Sequence, residues 1–91
     1  MEKINLEEIE LEHVLQKIDE KFYYKFLQDL LQNYQKCKKQ INVETKMRNY
    51  FVGSVRAVNH REFILFSPAK ENKNPSINVI PFENLKSIEI K

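Results

Sequence analysis

The chain has 91 residues but only one glycine, Gly53, three prolines, one cysteine and no tryptophan. One glycine excludes a glycine-rich phosphate-binding loop. One cysteine, Cys37, excludes an intramolecular disulfide and fits a reducing compartment. No segment approaches the roughly 20 apolar residues of a membrane-spanning helix. The start, Met1-Glu2-Lys3-Ile4-Asn5, is not the basic-then-apolar pattern of a secretory leader, so the expectation is a cytoplasmic protein without a membrane partner. His13 and His60 lie in separate segments, with no cysteine or carboxylate at ligand spacing beside them. No metal, cofactor or catalytic residue is therefore expected, and the carboxylates at 7–12 and 19–20 read as a solvated helix face. The class that remains is a binding protein and not an enzyme.

What is present divides near residue 41. Before it there is neither glycine nor proline, and apolar residues recur every three or four positions: Leu11, Val14/Leu15, Ile18, Phe22, Phe26, Leu30, Tyr34, Cys37, Ile41. This is one stripe of an α-helix. Asn5 suits its N-cap, with Glu8 three residues on and Ile4 and Ile9 placed as a hydrophobic staple. Acids crowd the first turns and Lys36, Lys38 and Lys39 the last, matching the helix dipole. The spacing predicts one long helix over about 6–39, with a kink near Asp19-Glu20. Phe22 and Phe26 are expected in the core, as is Cys37. Tyr23, Tyr24, Leu27 and Leu31 are expected at a subunit or partner interface, where tyrosine is enriched.

After residue 41 the period shortens. Ile41–Met47 alternates apolar and polar residues, as a half-buried strand does. Tyr50–Val58, Glu62–Phe66, Ile77–Ile80 and Leu85–Ile90 are four further strands. Turns fall at Arg48-Asn49 and Asn59-His60-Arg61, and a loop at 67–76. The expected fold is α+β: residues 1–40 an amphipathic N-terminal helix, residues 41–91 a five-stranded, strongly bent antiparallel barrel.

Residues 41–90 resemble the Sm-like family of small SH3-like barrels, Hfq-like proteins included. The resemblance lies in Phe51-Val52-Gly53-Ser54-Val55-Arg56-Ala57-Val58-Asn59, in the apolar strand Phe63-Ile64-Leu65-Phe66, and in the spacing of Val79-Ile80-Pro81-Phe82-Glu83-Asn84-Leu85-Lys86-Ser87-Ile88. It implies a homo-oligomeric ring that binds RNA or single-stranded nucleic acid. Phe63 stands where many members carry a base-reading asparagine, and Pro81-Phe82 replaces an Arg-Gly pair. The resemblance thus carries the barrel further than the uridine chemistry.

Net charge is uneven: −5 over residues 1–20, +4 over 21–40 and +3 over 41–91. The binding candidates are Asn59, His60 and Arg61 in one turn, with Arg56, Lys86 and Tyr50 adding charge and an aromatic ring. Lys46, Arg48 and Tyr50 form a second basic-aromatic group. Two other functions fit the same residues. One is an oligomer that binds or sequesters a small nucleotide or anionic metabolite, of the kind a phage or mobile element encodes, through His60, Arg61, Tyr50 and Lys86. The other is a regulatory module that docks a protein partner through helix residues 22–34.

Overall fold

The computed structural model describes residues 3–15, 20–69 and 71–91. A short strand β1 (Lys3–Asn5) precedes helices α1 (Leu6–Leu15) and α2 (Glu20–Lys36). Strands β2 (Gln40–Thr45), β3 (Tyr50–Val58), β4 (Glu62–Ser67) and β5 (Ser76–Pro81) follow. A single 3-10 turn, Phe82–Asn84, leads into β6 (Leu85–Ile90). All pairings are antiparallel, and the strands form one sheet in the order β1-β6-β2-β3-β4-β5. The architecture is α+β. No described helix is long and apolar enough to cross a membrane.

Two expectations need correction. Two helices are described where one long helix was expected, and the bend expected at Asp19-Glu20 falls partly on residues 16–19, outside the described set. The sheet has six strands with two edges in place of a five-stranded barrel, because Lys3-Ile4-Asn5 adds to the outer side of β6. A three-residue strand has too few positions to show a period in sequence. Its last residue also starts α1: Asn5 Oδ1 accepts the N–H groups of Glu7 and Glu8 at 3.1 and 3.4 Å, satisfying two donors that a helix start leaves open.

The face that α2 buries also differs from the expected one. Tyr23, Leu27, Leu31 and Tyr34, spaced by four, four and three, are buried, whereas Phe22 and Phe26 are 66% and 39% exposed. Tyr23, Leu27 and Leu31 thus belong to the chain's own core and not to an interface. Both stripes step at helical spacing, so periodicity alone cannot choose between them. The packing chooses. Tyr24 meets Phe82 edge-on at 5.6 Å between ring centroids, and Phe82 stacks with Phe63 at 6.3 Å. Helix residues share one core with Ile41, Val43, Val55, Phe63, Leu65, Ile80, Phe82, Leu85 and Ile88. Each large side chain so buried contributes about 1.5–3 kcal/mol. Cys37, expected in this core, lies past the end of α2 and is exposed.

The sheet bends where its register slips, between Val55 and Ala57 against β4 and between Glu44 and Thr45 against β6. Gly53 sits beside the first of these. A Cβ there would overlap the Phe66 carbonyl oxygen and lie 2.7 Å from its carbon. Only glycine allows β3 and β4 to approach so closely. Ser67 Oγ adds a 2.6 Å bond to the Val52 carbonyl across the same crossing.

Candidate nucleic-acid interface

The expected site residues fall into three groups. Asn59, His60 and Arg61 form the β3–β4 turn, as expected. Asn59 Oδ1 accepts the N–H groups of Arg61 and Glu62, both at 2.8 Å. Its oxygen is thereby committed to shaping the turn. The Arg61 carbonyl accepts the Phe82 N–H at 2.8 Å, which fastens the turn to the corner before β6. A cleft of about 380 Å³ opens there, lined by Tyr24, Arg61, Glu62, Pro81 and Glu83. Two carboxylates against one guanidinium make it a poor anion site.

Tyr50 and Lys86 form the second group. They stand at the opposite end of the nine-residue β3, roughly 25 Å from the turn along an extended strand. The register Glu44↔Tyr50 and Glu44↔Ser87 brings three side chains to the Glu44 carboxylate. The Tyr50 hydroxyl donates to it at 3.0 Å, the Ser87 hydroxyl at 3.4 Å, and the Lys86 ammonium lies 3.7 Å away. The Tyr50 bond, chiefly, holds the Glu44 carboxyl below its ordinary range; burial opposes it and Lys86 assists it. The same bond and charge push the Tyr50 phenol up.

The signs follow from these directions. The depressed carboxyl stabilises the fold above the ordinary carboxylate range, and that contribution is lost as pH falls through its folded pKa. The raised phenol stabilises below the ordinary phenol range, and its contribution is lost as pH rises through the folded value. Glu44→Gln is therefore expected to return the Tyr50 transition downward. A spectrophotometric phenol titration, with Tyr50→Phe as the difference reference, checks this. An unmoved transition would contradict the pairing. Beside this group a cleft of about 350 Å³ is lined in part by Lys3, Asn42, Glu44, Tyr50, Ser87 and Glu89, and Asn42 Oδ1 is buried without a hydrogen-bond partner among the described residues.

Arg56 belongs to neither group, and around it the fold assembles a third. Gln35 Nε2, in the last turn of α2, donates to the Arg56 carbonyl at 2.7 Å and sets the helix end against β3. Past that end the chain turns sharply: Lys38 N–H bonds the Gln35 carbonyl and Lys39 N–H the Tyr34 carbonyl, with Lys38 at φ 53°. This is a Schellman close with lysine in the left-handed position where glycine is usual. Gln40 then pairs with Ser54, and Lys91 N–H bonds the Gln40 carbonyl at 3.0 Å. Lys36, Lys38, Lys39, Arg56 and Lys91 thus converge on one region at the start of β2. None of the five is in an ion pair with another described residue. The Arg56 guanidinium lies 4.2 Å over the ring of half-buried Phe66, whose residue pairs with Ser54. A guanidinium stacked on an aromatic ring is one surface on which nucleobases stack.

The lysines here were read in sequence only as dipole complement, and Lys91 and Phe66 were not singled out. The one signal was the net +4 of residues 21–40. Lys38→Gly relieves the left-handed strain and is expected to stabilise the fold by about 0.5–1 kcal/mol in chemical denaturation. The same change removes a patch cation and should weaken anion binding. Unchanged or reduced stability would contradict the strained close.

Among the described residues no cluster of three or more His, Cys, Asp or Glu side chains could hold a metal ion. Comparison with known proteins finds no matching family model, no matching curated protein and no matching solved structure.

Proposed function

We propose that this is a non-catalytic, oligomeric protein of Sm-like architecture that binds RNA or other single-stranded nucleic acid. The observation that carries the proposal is the convergence of Lys36, Lys38, Lys39, Arg56 and Lys91 beside the Arg56–Phe66 stack. Unpaired cations contact phosphates and release counterions, while the stacked guanidinium offers a flat surface to a base. The architecture is supported by the sequence resemblance and by a helix followed by five consecutive antiparallel strands, the last of which returns to pair with the first. Arg61 takes a secondary role in this reading, because Glu62 and Glu83 share its cleft.

The cleft at Tyr50 supports a second reading. A buried acceptor, Asn42 Oδ1, with no partner among the described residues and an exposed phenol beside it, suits a ligand that presents an amino group, the base of a mononucleotide among them; with Glu44 and Glu89 against Lys3, its phosphate would face solvent.

Fluorescence anisotropy separates the two. A labelled 12-nucleotide single-stranded RNA should bind, and excess mononucleotide should not displace it. Saturable mononucleotide binding without RNA affinity would transfer the function to the cleft. A chain that binds neither would discard both readings.

A further inference from the structure

The two sheet edges are not equivalent. The outer edge of β6 carries β1, whereas nothing described pairs with the outer edge of β5. That strand, Ser76-Ile77-Asn78-Val79-Ile80-Pro81, has no charged residue, and Ile77 and Val79 are 68% and 56% exposed. A bare apolar edge without a guarding charge is the kind that pairs with another strand.

The backbone specifies which strand it fits. Glu62 pairs with Pro81, and Phe82 N–H bonds the Arg61 carbonyl, so Glu62↔Pro81 is a non-hydrogen-bonded pair. Alternation then makes Phe63↔Ile80, Leu65↔Asn78 and Ser67↔Ser76 the bonded pairs, and residues 76, 78 and 80 point their amides inward. The outward positions are 75, 77, 79 and 81. Two of these are prolines and donate nothing, so the free edge offers two donors, the N–H groups of Ile77 and Val79.

We infer that β5 pairs antiparallel with β5 of a second copy about a two-fold axis at Asn78. In that register Ile77 lies opposite Val79 of the second copy, and each exchanges both N–H···O bonds with the other. All four free donors of the pair meet carbonyls. The prolines fall opposite one another, Pro75 against Pro81, where no donor is needed. Exposed Ile77 and Val79 cover each other on one face.

A shift of the axis to Ile77 sets Val79 against Pro75. A shift to Val79 sets Ile77 against Pro81. Either makes as many hydrogen bonds, but sets two of the four exposed β-branched side chains opposite a proline, so cross-strand side-chain pairing selects the axis at Asn78. The inference is independent of what the basic patch binds. The contact is small, and small contacts are weak, so half-dimerisation is expected on the order of 10–100 µM.

Sedimentation equilibrium on three full-length proteins tests it. The wild type should be a concentration-dependent dimer. The double variant Ile77→Lys with Val79→Lys places like charges opposite one another and should be monomeric. The double variant Ile77→Lys with Val79→Glu is self-complementary in this register only, and should dimerise again in a salt-sensitive way. Both variants alter exposed side chains and leave the inward hydrogen bonds of β5 intact. A monomeric wild type at 200 µM, as an order of magnitude, would overturn the inference. So would an assembly larger than a dimer, a dimeric lysine pair, or a folded, monomeric lysine–glutamate pair.

Discussion

Gly53→Ala lowers the melting temperature by about 10–20 °C, the largest stability effect expected of any single methyl group in this chain. The added carbon meets the Phe66 carbonyl and the Ser67 Cα, the latter at 3.2 Å, so no side-chain rotation relieves it. Either β4 moves or β3 does. Moving β4 displaces Phe63 and Leu65, which are buried at the centre of the core. Overpacking of this kind costs about 3 kcal/mol, a large part of the stability of a domain this size. Ser54→Ala, at the next and half-buried position of the same strand, is the control and should stay within about 0.5 kcal/mol of wild type. A fall of under about 3 °C for Gly53→Ala, against a scanning-calorimetry precision well below that, would mean that the strands do not approach as described.

The second large effect concerns binding. Arg56→Glu combined with Lys39→Glu reduces affinity for single-stranded RNA on the order of 100-fold at low salt, with the fold intact. Both side chains are exposed and in no ion pair with another described residue, so their reversal costs the folded state little. In the complex each reversal removes one phosphate contact and adds one repulsion. Arg61→Glu, in the acid-flanked cleft, should weaken binding by a few-fold at most. Anisotropy titrations of the three proteins order the sites. If Arg61→Glu proved as damaging as the Arg56 and Lys39 pair, the interface would lie at the turn and not at the helix end.

Much of the sheet was legible because its signals are local. Alternation marked Tyr50–Val58 and Leu85–Ile90 to the residue, and Asn59 announced a turn that its own side chain then shapes. The single glycine lies inside one of these strands, where glycine often marks close backbone approach. The α2 face was not legible, because Phe22 and Phe26 keep the same spacing as Tyr23 and Leu27 one residue away. The sheet residues that share one core with Tyr23 and Leu27 decide between them, and these come from distant parts of the chain. The basic patch was hidden for a related reason. Lys36, Lys38 and Lys39 look like ordinary helix-end cations until Gln35 reaches the Arg56 carbonyl and Lys91 returns to Gln40. Tyr50 and Lys86 were read as binding residues beside His60 and Arg61, but strand register places them at the other end of β3, where both meet Glu44.

The salt dependence of wild-type RNA binding tests the central claim most directly. Five cations at one locus, four or five of them on phosphates, predict that log K falls with log salt at a slope of about −3 for a single strand. The Arg56 and Lys39 double charge reversal should flatten that slope by at least one. A wild-type slope near zero, or no RNA binding at 50 mM salt, as an order of magnitude, would contradict a nucleic-acid interface at this patch.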